Sequence, residues 1–532
     1  MNHVDSEEYR HWAEVIAQQA VDKFNDGQVI ATGWSPSGEY HYGNFREAVT
    51  CNAIYQSVKD LGEEVKFLFN IDDYDPLDKI PTDLKKYSRE LRPYLGHPIN
   101  RVPDFTGEYD SYADYFAAGA RKAAKDFHFD IEFIRSSKLY QSGKYDDFLR
   151  QYLAHQDIID ELFEDISGSA LNSYVAVVCK ECGNMKTPQV QKIEDEKIYY
   201  KCISDRMFRG CDDEGFQTID SHEWKLKWRL DWPARQTFLG VTVEPSGKDH
   251  SVAGGSVDTS LAIHEKIFEH DPPILERYGF ITLKGQKASG SKGGFLPAAK
   301  ISSIMPPSTY MFLIYRSDML KDIDFNPQSL EYAKLMDEFD DARRMYEGDE
   351  FPGREREYNK LATAADLAMF DNERGFLPAQ VKFEELALVY QTSLLDKDLT
   401  ITKLDDLDKI PSEMAKKELY RRLELMDQWL AEMAPANIKF QFLDTVPDGI
   451  AEYWSDPVRT TWTSALNQIT PATTADEFTQ FLREAGDAND LSPKEYYQAF
   501  YQLISGKSSG PNAAGLVMAM GKDSILEKIK EL

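Results

Sequence analysis

At 532 residues the chain exceeds a single ordinary domain, and at about 100–200 residues per domain it holds three or four packed units with a sizeable core. Its 61 Lys and Arg against 90 Asp and Glu give a net charge of −29, which excludes a protein that holds nucleic acid by bulk electrostatics; an RNA partner must meet a local basic surface. No stretch approaches the roughly 18 uncharged apolar residues of a membrane-spanning helix, Met1 to Phe24 lacks the pattern of a secretory signal, and five cysteines are too few for a disulfide scaffold, so the cytoplasm is the expected compartment and no membrane the expected partner.

In chain order, residues 28–33 and 64–71 are apolar runs that predict buried strands, while 44–61 between them has helical spacing and stops at Gly62. Strand, loop, helix, strand is the opening unit of a doubly wound parallel sheet. Residues 108–163 alternate charged and apolar positions with a helical period. The segment 173–215 changes character, with a strand over 174–178 and two pairs of cysteines separated by charged, hairpin-like sequence. Strand and loop signals return in 224–240 and 280–294, so the sheet is expected to resume after an insertion. From about 308 onward nearly every segment predicts an amphipathic helix, for example 331–346, 413–433 and 475–485.

Chemistry concentrates first in the loop Gly33-Trp34-Ser35-Pro36-Ser37-Gly38-Glu39-Tyr40-His41-Tyr42-Gly43-Asn44, at the carboxyl end of the first strand, where ligands bind in parallel sheets. Gly38 and Gly43 remove side chains where a nucleotide must approach the backbone, and His41 and Asn44, three apart at a helix start, can both donate to phosphate oxygens. Cys179-x-x-Cys182 with Cys202 and Cys211 supplies four thiols of the kind that hold tetrahedral zinc; free buried thiols are the alternative. Gly247-Lys248 is no phosphate-binding Walker loop, since Asp249 stands where Ser or Thr would have to hold magnesium.

The His41-x-Gly43-Asn44 tetrad resembles the HIGH signature of class I aminoacyl-tRNA synthetases, and the following Phe45-Arg46-Glu47 is similar to their lysyl branch. Lys287-Ala288-Ser289-Gly290-Ser291-Lys292-Gly293, late in the sheet-forming region, resembles the second, KMSKS signature of that class. Trp228-Arg229-Leu230-Asp231-Trp232-Pro233-Ala234-Arg235 and Gly247-Lys248-Asp249-His250 are similar to the lysyl family's DWP and GKDH segments. Departures are Ala288 for methionine, Gly290 at the fourth signature position, Gln236 where the family usually has tryptophan, and Gly279 where glutamate often follows Tyr278.

The resemblance implies an α/β fold: a Rossmann-type parallel-sheet catalytic domain split by a zinc-binding insertion and followed by an all-α C-terminal region. Expected divisions are 1–100 and 221–300 for the two halves of the catalytic domain, 101–220 for the inserted helical and zinc-binding region, 301–365 for a helical stem-contact region and 366–532 for a helical anticodon-binding region. It implies ATP-dependent activation of lysine, with magnesium, and transfer to tRNA(Lys), by an enzyme expected to work as a monomer. His41, Asn44, Lys287 and Lys292 would act on the phosphates, and Ser37, Gly38, Gly43, Ser289 and Ser291 would complete the ATP site. Gly33 and Ser35 would touch the amino-acid backbone; Trp228, Asp249, His250 and Tyr278 would line the pocket; Asp72 and Asp73 would neutralise the substrate ammonium. Near the C-terminus, Gly506–Pro511 resembles the family's closing segment, with Asn512 in place of a basic residue, and Trp454, Trp462, Tyr496 and Tyr497 offer rings for anticodon bases or for a core. A glutamyl-like specificity and a non-catalytic RNA-binding relative are the alternatives.

Overall fold

The computed structural model describes residues 9–287, 295–348 and 355–532, apart from 437, 441, 444, 448, 471, 472 and 511. It divides into two compact units, Met1–Asn326 with Gly348–Asn372, and Pro327–Glu347 with Glu373–Leu532.

In the first unit β1 (Gln28–Trp34), α1 (Tyr42–Asp60) and β2 (Val65–Ile71) make the strand–helix–strand opening, and β3 (Glu132–Arg135) pairs with the other side of β2. Both pairings are parallel, from Gln28↔Val65 to Trp34↔Ile71 and from Leu68↔Glu132 to Ile71↔Arg135. Consecutive residues of β2, Phe67, Leu68 and Phe69, are all buried, the pattern of a parallel sheet covered on both faces. Helix α1 is buried almost all round, including Phe45, Ala48, Val49, Ala53 and Ile54, because it lies between the sheet and the apolar helix Pro307–Tyr315. It stops where Gly62 takes φ +83°, a left-handed conformation that costs glycine little.

The insertion contributes β4 (Val175–Val177), an antiparallel meander of β5 (Pro188–Glu194), β6 (Lys197–Cys202) and β7 (Glu214–Thr218), and β8 (Trp224–Leu226), which pairs back on β4 and closes the base of the module. Val177, Ile198, Tyr200 and Trp224 share one core with Tyr140, Leu149 and Tyr152, so the module is rooted in the first unit. The strand signals of 224–240 hold only for β8. Residues Trp228–Leu239 form a helix, α2, with Pro233 inside it and Gly240 ending it at φ +64°. The sheet resumes beyond it through parallel bridges Ile30↔Val243 and Val243↔Ile274, and β9 (Ser246–Gly247) pairs in parallel with β10 (Arg277–Tyr278).

The second unit is helical over most of its described residues. Leu330–Tyr346, Phe383–Thr392 and Glu413–Glu432 meet at Tyr332, Phe383 and Trp429, with Tyr332 stacked on Trp429 at 4.8 Å. Helix Leu330–Tyr346 thus belongs with this unit, although the sequence division groups it with 301–365. A second core holds Trp454, Trp462, Phe478, Tyr496 and Phe500. The indole N–H of Trp454 donates to Ala499 O and that of Trp462 to Tyr496 O, so these two rings and Tyr496 are spent on packing and offer no platform for bases; Tyr497 is half-buried. Asn512 caps the helix Ala513–Met520 by accepting from Ala514 N and Gly515 N, a structural use for the residue that replaces the expected base.

Candidate active site

The site forms at the carboxyl ends of β1 and β2, where loops emerge from the parallel strands. Gly33 sits in close strand packing, since a Cβ there would lie 3.0 Å from Asn70 O and would crowd it. His41 caps α1, its Nδ1 accepting from Asn44 N–H at 3.2 Å; the bond leaves the ring proton on Nε2. His41, Gly43 and Asn44 line a cavity of about 170 Å³ together with Glu47, Gly247, Asp249, His250, Tyr278, Phe280 and Ile281. A second cavity, of about 370 Å³, takes Gly33, Ser35, Asp72, Trp228 and Trp232 in its wall and shares Glu47, Gly247 and His250 with the first. Most of the residues expected to bind substrates are therefore brought to two adjoining cavities.

Two groups of the expected residues stand apart from these cavities, and a third is not among the described residues. Ser37 and Gly38 line neither cavity: Ser37 is exposed, with its carbonyl accepting from Tyr112 Oη at 2.9 Å, and Gly38 is buried in the loop. Asp73 points away and is fully buried, its carboxylate held by Arg135 Nε at 2.7 Å and by Ser137 N and Oγ at 2.8 and 2.7 Å; those bonds fix the start of the segment after β3. Ser289, Ser291 and Lys292, with the side chain of Lys287, lie outside the described residues.

One wall of the larger cavity comes from α2, which presents Trp228, Trp232 and Arg235 at i, i+4 and i+7, one helical face. Trp228 stacks on Trp232 at 5.3 Å, and His250 packs against both rings at 5.9 and 6.1 Å. This wall suits an aliphatic stem or a cation over indole.

Behind it lies a buried charge cluster. Lys225 Nζ bonds both oxygens of Asp72 at 2.6 and 2.8 Å and Asp75 Oδ1 at 2.5 Å. Burial pushes the Asp72 carboxyl up, but the Lys225 ammonium and Arg235 outweigh it and hold Asp72 below the usual range; for Asp75, burial and the Asp72 charge win and raise it. Arg235 reaches Glu244 Oε1 at 3.1 Å and Asp231 Oδ1 at 3.6 Å, while Asp231 Oδ2 accepts from Tyr140 Oη at 2.6 Å; burial raises Asp231 despite its cationic neighbours. Glu47 differs from these acids. Its donors are neutral: Thr32 Oγ1, Gly33 N at 3.4 Å and Tyr278 Oη at 2.8 Å, and burial lifts its carboxyl to about 7. Sequence reasoning assigned no role to Glu47, Asp75, Lys225, Trp232, Arg235 or Glu244; an acid in the middle of the buried face of α1 was the available signal for Glu47.

Two departures from the family pattern have local explanations. Gln236 takes hydrogen bonds from Ser260 Oγ and His264 Nε2, both at 3.0 Å, and donates to Glu244 Oε2 at 2.8 Å, so it links a buried histidine to the cavity wall. Burial lowers His264 to about 3, which keeps it neutral and suits a single N–H donated to Gln236. Gly279 is required because the backbone of Lys321 would lie 2.5 Å from a Cβ.

In the insertion the four sulfurs of Cys179, Cys182, Cys202 and Cys211 lie within 4.8 Å of one another, with Cys179–Cys211 at 3.5 Å and Cys182–Cys202 at 3.7 Å. A tetrahedral thiolate site with bonds of about 2.3 Å separates its sulfurs by roughly 3.8 Å, which this set matches.

Residues 10–368 match the family described as tRNA synthetases class I (K). A lysine–tRNA ligase of Methanosarcina barkeri is 30% identical, covering 98% of this chain and 97% of its own, and one of Methanosphaera stadtmanae is 29% identical, covering 98% and 99%. Among solved structures, a glutamate tRNA ligase of Elizabethkingia meningosepticum in complex with its amino acid aligns over 95% of this chain and 99% of its own at 14% identity, with a TM-score of 0.43.

Proposed function

The chain belongs to the class I tRNA synthetases (K), and from that premise we propose that it is a ligase that activates lysine with ATP and transfers it to tRNA. The observation that carries the choice of amino acid is the charge of the larger cavity. Glu47, Asp72, Asp75, Asp231 and Glu244 stand in and behind its wall against two bases, Lys225 and Arg235. An acid excess in a low-dielectric site favours a substrate carrying two ammonium groups and one carboxylate. A glutamate side chain would need a guanidinium to meet it, and Arg235 is already committed to Glu244 and Asp231. The indole rings of Trp228 and Trp232 accommodate the aliphatic stem.

Activation is an in-line displacement: the lysine carboxylate attacks the α-phosphorus of ATP, the bond to the β-phosphate oxygen breaks, and pyrophosphate leaves. The terminal ribose hydroxyl of tRNA then attacks the carbonyl of the lysyl-adenylate and AMP departs. Both steps need alignment and charge stabilisation rather than a protein nucleophile. His41 Nε2–H and the Asn44 amide, at the start of α1, donate to phosphate oxygens of ATP, which enters as its magnesium complex. Lys287 and Lys292 supply ammonium groups to the pyrophosphate. The four cysteines hold one structural zinc that ties β5–β7 to the rest of the first unit.

Amino-acid-dependent pyrophosphate exchange tests the activity: exchange with lysine alone is expected, and exchange with glutamate but not lysine overturns it. Lys292→Ala should slow adenylate formation roughly 10–1000-fold with folding unchanged; an unaltered rate removes Lys292 from the site. Metal analysis should find one zinc per chain, lost in Cys179→Ser with Cys182→Ser.

A further inference from the structure

The cysteine-bearing knuckle of the insertion is fitted to the segment 77–98, which leaves the chain just after β2 and folds back on it, with Ile99 N donating to Asp75 O at 2.8 Å and Asn100 N to Asp73 O at 3.0 Å. Its helical parts are only short turns, Thr82–Tyr87, Ser88–Leu91 and Arg92–Tyr94, so no long ladder of backbone bonds holds it. Its ends meet through Gly96 N to Leu77 O at 2.9 Å and Leu77 N to His97 O at 2.8 Å. The insertion grips it there with the buried side chain of Asn184. Asn184 Oδ1 accepts from Lys186 N at 2.7 Å and Thr187 N at 3.1 Å, which closes the knuckle after Cys182, while its Nδ2 donates to Leu95 O at 3.0 Å. Met185 N adds a bond to Gly96 O at 2.7 Å, and Lys186 Nζ a solvent-facing ion pair with Asp78 at 2.8 Å. Gly96, at φ +85°, makes room for this fit, since a Cβ there would overlap the Asn184 amide. On the other side the same residues shape the thiol cluster: Asn184 O accepts from Cys179 N at 2.9 Å, and Thr187 Oγ1 lies 3.1 Å from Cys202 Sγ.

We propose that Asn184 is a positioning residue: through it, a zinc ion held by the four thiols fixes the segment 77–98, and with that segment the wall of the larger cavity. The inference rests on the proposed lysine activity and adds a coupling between the metal module and the substrate site. Two cavity residues depend on the segment. Asp75, just before it, lines the cavity and bonds Lys225, and Trp34, also in the wall, packs on the core of Leu77, Leu84, Leu91 and Ile99. A second route joins the same points, since Val178 N donates to Glu223 O at 2.8 Å and β4 pairs with β8, the strand that carries Lys225. Release of the metal removes the cross-link that orders the knuckle, and with it the fixed position of the Asn184 amide. The two ends of that amide do separable work: the oxygen shapes the knuckle and the nitrogen grips the segment. By linkage, whatever free energy the metal adds to lysine binding, lysine adds to metal binding.

Three measurements on the full chain test this. In the wild type, hydrogen exchange of residues 77–98 should quicken about tenfold or more when EDTA removes zinc, while β1 and β2 stay protected; unchanged exchange in 77–98 overturns the assignment. In competition with a chelator, saturating lysine should raise the affinity for zinc about fivefold or more, and equal affinity with and without lysine overturns the coupling. Asn184→Asp keeps the oxygen that closes the knuckle but sets a carboxylate against Leu95 O. This variant should retain its zinc and raise KM for lysine about fivefold or more, with KM for ATP and kcat within about twofold of wild type. Loss of zinc, or a fall in kcat with KM for lysine unchanged, would make Asn184 a support of the module alone and overturn its positioning role. Should the variant fail to fold, the two wild-type measurements decide. A wild-type chain that binds no zinc overturns the inference while exchange with lysine keeps the activity standing; absence of lysine exchange in the wild type overturns both.

Discussion

The two units each bury a cluster of charges, and the clusters are built to different rules. In the second unit Arg422 meets Asp340 through two bonds, at 2.5 and 2.8 Å, and Glu418 at 2.8 Å, while Arg343 meets Glu418 at 2.7 Å: two guanidiniums against two carboxylates, all with little exposed side chain. In the first unit Lys225 and Arg235 stand against five carboxylates, and the cluster borders an open cavity. A closed cluster must balance itself, because nothing else will cancel an unpaired charge in a low dielectric. An unbalanced one can persist only if protons, water or a ligand complete it, and Glu47 and Asp231 are both raised by burial in that way. Imbalance beside a cavity thus points to a ligand, whereas burial of charge by itself does not.

The largest effect expected from this contrast lies in the closed cluster. Arg422→Met leaves Asp340 and Glu418 short of a partner and should cost about 3–5 kcal/mol in urea unfolding of the second unit. Lysine-dependent exchange per folded molecule should not change. Replacing Asp340 by Leu in the same chain leaves the Arg343–Glu418 pair neutral and should restore most of the loss; a double variant as unstable as the single one would show that shape, not charge balance, holds this cluster. Lys225→Met, the corresponding deletion in the first unit, should cost less, about 2–3 kcal/mol, because Asp75 has 39% of its side chain exposed. An equal or greater loss at Lys225 would remove the distinction between the clusters.

How far this could be read from sequence depends on the range of the interaction. Strands 28–34 and 65–71 and the helix between them follow from apolar runs and a glycine stop, which are local signals. His41, Asn44, Gly33 and Trp228 were legible because each sits in a short motif whose members are neighbours in the chain. The helix at Trp228–Leu239 was not, since two tryptophans and a proline resemble strand-and-turn sequence; only the spacing of Trp228, Trp232 and Arg235 around the cavity reveals the helical face. Lys225 and Asp72 are 153 residues apart, so nothing local announces the pair, and the adjacent Asp72 and Asp73 look equivalent although one borders the cavity and the other is sealed by Arg135. Trp454 and Trp462 carry the same ambiguity between core and RNA platform until their indole N–H groups are found bonded to buried carbonyls.

The smallest expected effect separates the clusters without any substitution. Glu47 titrates near 7 when folded against about 4.5 when unfolded, and Asp231 is raised in the same sense. A carboxyl raised by folding binds its proton more tightly in the native state, so its contribution to stability is full below the unfolded value and is lost as pH rises through the folded one. The ligand-free first unit should therefore lose on the order of 1–2 kcal/mol between pH 5 and pH 8. Thermal unfolding of the first unit across this range reads the slope; a profile that stays flat between pH 5 and pH 8 would mean that burial does not hold these carboxyls protonated, and the contrast with the balanced cluster would fall.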